Sequence, residues 1–152
     1  MTHLGNVEAR QAILRRLAAL ARESPARWGR MDANQMICHL ADSYRAVMGE
    51  KAVSPATGLL PRTIVKWIAL YVPIRWPKGV PTRPEVEQGV GGTAPAGFAR
   101  DRAELERVIH SFADPHHKFH WQPHPIFGRM SETEWMRWGY LHADHHLRQF
   151  GV

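Results

Sequence analysis

The segment that most constrains this chain is its last stretch, "SETEWMRWGYLHADHHLRQFGV", where a helix start signal leads into an unbroken helical period. Ser131 and Glu134 form an S-x-x-E capping box, in which each side chain satisfies a backbone N–H that the helix start leaves without a partner. Trp135, Trp138, His142, His146 and Gln149 then fall on one line, because positions three and four apart share a helix face. A helix with one such face needs other elements to cover it.

Three further helices can be read from the same signals. Asn6 caps the first, in which Ile13, Leu14, Leu17, Leu20 and Ala21 recur at helical spacing up to about Arg22. Asp32 and Gln35 resemble a second capping box, followed by the stripe Met36, Leu40, Val47 and a stop at Gly49. From Phe98, the residues Leu105, Val108, Ile109 and Phe112 repeat on one face opposite a charged one, and this third helix ends before Asp114-Pro115. No useful length of chain alternates as a strand would. The expectation is an all-α fold, an antiparallel four-helix bundle forming a single domain over residues 1–152.

Helices two and three are separated by an insertion of about residues 50–96. It holds a greasy helix from about Pro61 to Val72 and then a loop with Pro73, Pro77, Pro81, Pro84 and Pro95. Loops of that length inside a compact domain are functional or disordered. The greasy helix is read as a cover over the bundle or a dimer contact in preference to a membrane-surface anchor. The apolar run Leu59 to Trp76 is broken by Arg62, Lys66 and Arg75, which argues against a membrane span.

Lys+Arg 20 against Asp+Glu 14 gives a net charge of +6, but the basic residues are scattered and form no run, so nucleic-acid binding is not expected. The single cysteine, Cys38, excludes an intrachain disulfide and a cysteine-based zinc knuckle, and beside Ile37 and Leu40 it reads as a small buried residue. The N-terminus carries Glu8 and Arg10 where a signal sequence would be apolar, and a cytoplasmic location is expected.

Ten histidines fall largely into two groups, one ahead of the last helix (His116, His117, His120, His124) and one on it (His142, His145, His146). Positions four apart lie about 5–6 Å from each other between Cβ atoms, so His142 and His146 can aim at one point. That is the two-histidine half of a metal site, and zinc sites with an open position take three protein ligands. His39, beside the Met36-Leu40-Val47 face, is the best partner from another helix. His145 is placed on the flank, and Asp144 lies about opposite His142 on the helical wheel. The competing reading is that these are ordinary polar residues near a helix end, where the helix dipole favours cations.

"QMICHLADS" (Gln35 to Ser43) and "HPIFGRMSETEWMRWGYLHADHHLRQFGV" (His124 to Val152) resemble the DinB-like superfamily of four-helix-bundle metalloproteins, and most resemble a bacterial branch without assigned activity that ends in a similar "HxDHHLRQFG" segment. The resemblance covers the helix order across most of the chain and little of the insertion. It implies His39, His142 and His146 as ligands of a zinc- or nickel-type ion. Some relatives are thiol transferases or isomerases using low-molecular-weight thiols, and others are hydrolase-like. DNA binding is not implied.

Three neutral imidazoles leave a divalent ion its full charge, which acidifies a water or thiol. A metal-dependent hydrolase or thiol transferase acting on a small molecule is therefore the first expectation. A non-enzymatic metal-binding or dimeric interaction protein, with a structural or vestigial site, is the alternative. No carboxylate sits four residues from a proposed ligand on its own helix, so His124, Gln35 and Ser43, with Asp42 nearby, are the candidates for catalytic or substrate-contacting roles. Trp135 and Trp138 are expected in the core, and Arg148 with the basic excess can receive an anionic substrate.

Overall fold

The computed structural model describes residues 1–56 and 62–152. Among them are five α-helices and no β-strand: α1 (Val7–Ala19), α2 (Ala33–Met48), α3 (Arg62–Tyr71), α4 (Phe98–Phe112) and α5 (Glu132–Gln149). α1, α2, α4 and α5 correspond to the four helices read from the sequence, and α3 is the greasy helix of the insertion. Pro61, where that helix was expected to start, lies outside the described residues.

The start signals act as the sequence predicts. Asn6 Oδ1 accepts from the Ala9 N–H at 2.8 Å, and complete capping boxes open α2 (Asp32, Gln35) and α5 (Ser131, Glu134). Gly49 closes α2 at φ 84°, a left-handed conformation that glycine adopts without a Cβ penalty. α1 corrects the expectation by ending at Ala19 rather than near Arg22. Leu20 turns extended and is buried, while the Ser24 hydroxyl accepts the Ala21 N–H ahead of Pro25, which disfavours helical backbone at Ser24.

α2 packs against α4 and α5, and α1 and α3 also pack against α5. One apolar cluster joins them: Leu4, Ile13 and Leu17, then Met36, Ile37, Leu40 and Tyr44 of α2, Leu105, Val108 and Phe112 of α4, and Trp135, Trp138 and Leu147 of α5. The approach is close at Gly139, where an added Cβ would stand 2.8 Å from the Phe112 ring and 2.9 Å from Leu4, and where the Tyr44 hydroxyl donates to the Gly139 carbonyl at 2.7 Å.

The insertion is fastened to this core. Buried Asp42 of α2 accepts from the Thr93 backbone N–H at 2.6 Å, the Thr93 hydroxyl at 2.7 Å and Lys51 Nζ at 2.9 Å. A short 3-10 turn, Pro84–Val86, buries Val86 beside α2. α3 buries Leu70 and ties Lys66 to Glu134 at 2.9 Å, while Ile64, Trp67, Ile68 and Tyr71 face outward. α3 therefore lies against α5 with an apolar face left outward. No helix among the described residues is long and apolar enough to cross a membrane.

Candidate metal centre

α2 carries His39 and α5 carries His142 and His146 to the same place. Each can offer one ring nitrogen such that all three lie within 4.8 Å of one another. The ring centroids stand 5.4 Å (His39–His142), 4.8 Å (His39–His146) and 4.9 Å (His142–His146) apart. His39 is buried, and the other two are half-buried, so the cluster is closed on the α2 side and reaches towards the surface on the α5 side.

The outer ring nitrogens set which atoms face inward. His39 Nδ1 lies 2.9 Å from the Val86 carbonyl, which only accepts, so Nδ1 carries the hydrogen and Nε2 keeps its lone pair. His146 Nδ1 lies 2.9 Å from Gln149 Oε1, and the same amide donates through Nε2 to the Trp28 carbonyl at 2.6 Å. That second bond fixes the amide's orientation and again leaves the His146 Nε2 bare. Ligating histidines are commonly held by such an outer hydrogen bond. His142 differs: its Nδ1 is buried without a hydrogen-bond partner. A buried polar atom in that state is costly unless something completes it.

Burial holds all three imidazoles below their ordinary pKa, His142 and His146 well below it, and the neighbouring histidines add to the effect for these two. The neutral form is the one that binds a cation. An orphaned nitrogen, two preset lone pairs and an all-nitrogen donor set together could hold a metal ion.

The model of a family described as a protein of unknown function, DUF1569, matches residues 4–151. The chain belongs to this family. Comparisons with curated proteins and with solved structures give no match.

Other sequence candidates in this DUF1569 protein fall outside the cluster. His124 is buried in the loop before α5, where its Nδ1 accepts the Ile126 and Phe127 backbone N–H groups at 3.1 Å each and its ring stacks on Phe127. Trp138 packs between it and His142, at 5.5 Å and 4.8 Å between centroids. These contacts anchor the loop ahead of α5. Gln35 is engaged in the α2 capping box, and the Ser43 hydroxyl donates to the His39 carbonyl at 2.8 Å. Asp42 is engaged with Lys51 and Thr93. These three side chains therefore help to build the helix and fasten its cover.

His145 sits on the flank, its ring 5.1 Å from His146 and facing Trp28 and Trp76. Asp144 points to Arg16 at 2.7 Å and Arg148 at 2.9 Å. His117 stacks on Phe119, while His116 and His120 are exposed. Burial, with nearby Asp101, pushes the Cys38 thiol up to about 12, so it is no nucleophile near neutral pH. The contacts that sequence reasoning missed are the Val86 carbonyl and Trp76, both from the insertion, whose composition carries no periodic signal for either.

Proposed function

We propose that this DUF1569 protein is a DinB-like antiparallel four-helix bundle of α1, α2, α4 and α5, in which His39, His142 and His146 bind one zinc or nickel ion and serve a metal-dependent hydrolase or thiol transferase. The single observation that carries the reading is the preset lone pair: Val86 and Gln149 occupy the outer nitrogens of His39 and His146, and leave the inner ones free towards each other. A divalent ion held by three neutral imidazoles supplies positive charge that acidifies a water or a low-molecular-weight thiol. The chain's own part is to hold the three rings neutral, to wall the site with Trp138 and Trp76, and to leave His142 and His146 partly open to a small molecule.

One observation favours the non-enzymatic alternative. His124, Gln35, Ser43 and Asp42 are all engaged in structural hydrogen bonds, so none is free as a general base.

The test is elemental analysis of protein purified without a histidine tag, beside His39→Ala and His142→Ala. Near-stoichiometric zinc or nickel, lost in both variants, is the expected result. A metal-free wild type that takes up none when zinc or nickel is added overturns the proposal. Metal with no turnover of thiols, esters or amides selects the structural alternative.

A further inference from the structure

Beside the histidines lies a cavity of about 170 Å³, lined by Arg27, Trp28, Arg75, Trp76, Lys78, His145 and Arg148. Two of its lining side chains adjoin the cluster: Trp76 stands 6.1 Å from His142 and His145 stands 5.1 Å from His146 between ring centroids. We propose that this cavity is the seat of an anionic group, a carboxylate or a phosphate, on a small substrate whose reacting end faces His142 and His146.

Four cationic side chains converge here from three separate stretches of chain. Arg148 shares the one carboxylate of Asp144 with Arg16. Among the described residues Arg27, Arg75 and Lys78 have no carboxylate partner, and Lys78 Nζ sits 4.6 Å above the Trp28 ring instead. Like charges gathered without counter-charges repel one another, and an anion between them relieves that repulsion. Guanidinium forks match the planar carboxylate and the phosphate oxygens in pairs.

The walls are held by backbone contacts rather than left to chance. The Arg27 N–H donates to the Gln149 carbonyl at 2.7 Å, Gln149 Nε2 donates to the Trp28 carbonyl, and the Trp76 indole N–H donates to the Ala69 carbonyl at 2.8 Å. Gln149 therefore joins the cavity wall to the His146 ring through one amide. The cavity is open on one side and has room for a group of a few heavy atoms.

The direction of the reacting end rests on the metal reading, whereas the anion seat rests on the cavity alone. The indole resonances of Trp28 and Trp76 in the full chain report on the seat while inorganic phosphate, and separately acetate, is titrated at constant ionic strength. The expected result is a saturable shift of these two resonances with Trp135 unmoved, and roughly tenfold or more weaker binding in Arg75→Ala/Lys78→Ala. Both substituted side chains are exposed, so the fold is retained, and unchanged helical circular dichroism checks that. The probe that saturates at lower concentration identifies phosphate or carboxylate as the chemistry.

A drift shared by all indoles, or equal saturation in the double variant, overturns the proposal. His142→Ala separates the two readings. Saturable anion binding that persists there upholds the seat independently of any metal, and the metal reading falls if the wild type itself takes up none; a zinc-loaded wild type without saturable binding removes the seat alone.

Discussion

The two halves of α5 use one stripe in opposite ways. Trp135, Trp138 and Gly139 are packed against Tyr44, Phe112 and Leu4, with aromatic rings edge-on at 5.9 Å (Tyr44–Trp138) and no room for a Cβ at Gly139. From the next turn on, the same line presents His142 and His146, half-open, with a buried nitrogen lacking a partner. Packing is dense where the stripe is aromatic and incomplete where it carries the histidines. A helix long enough to span both regions lets the first half hold the second in place.

The largest expected effect breaks the packed half. Trp135→Ala removes a fully buried indole and is expected to cost about 3–5 kcal/mol in urea unfolding, whereas His142→Ala is expected to cost only about 1 kcal/mol in the metal-free protein. Equal losses would mean that the two halves do not differ in the way described.

A smaller effect sharpens the open half. Gln149→Leu removes the acceptor for His146 Nδ1 and the donor to Trp28 while keeping an apolar body at this buried position. Zinc affinity, measured by competition with a chelator, is expected to fall about 10–100-fold, the range typical of losing a ligand's outer partner. An unchanged affinity would show that His146 does not depend on that bond for its tautomer.

An effect of pH, small per unit, tests the border between the halves. Burial holds His124 neutral down to about 3, against an ordinary histidine value of 6.5. The folded state thus binds fewer protons than the unfolded one between these values, and stability falls as the pH drops through 6.5 towards 3. His39, His142 and His146 act in the same direction in the metal-free protein. In His124→Asn, which keeps an acceptor for the Ile126 and Phe127 N–H groups, the slope of unfolding free energy against pH is expected to be shallower by about 1.4 kcal/mol per pH unit within this window. An unaltered slope would show that His124 is protonated in the folded protein or exposed there.

Local physics made much of this molecule legible without coordinates. Helix starts are written in side chains three residues apart, as at Asp32 with Gln35 and Ser131 with Glu134. A face repeats every three or four positions, which puts His142 beside His146 and sets His39 at the edge of the Met36-Leu40 stripe. Competition for hydrogen bonds has no such local signature: Gln35 and Ser43, near His39, are both engaged in α2's own hydrogen bonds.

All-helical character and the placing of His142 beside His146 therefore follow from sequence periodicity, because a helix determines the directions of its side chains by itself, whereas His39 meets them through the packing of α2 on α5. What only the tertiary structure decided is how those rings are finished. The carbonyl that orients His39 belongs to Val86, 47 residues away, and the amide that orients His146 is steered by the Trp28 carbonyl, 121 residues from Gln149. The cationic cavity is assembled from Arg27, Arg75, Lys78 and Arg148, which no sequence window contains together. Contacts of that reach depend on how the insertion and the α1–α2 connection pack onto α5, and no short-range pattern encodes a distance between parts of the chain that meet only when the core forms.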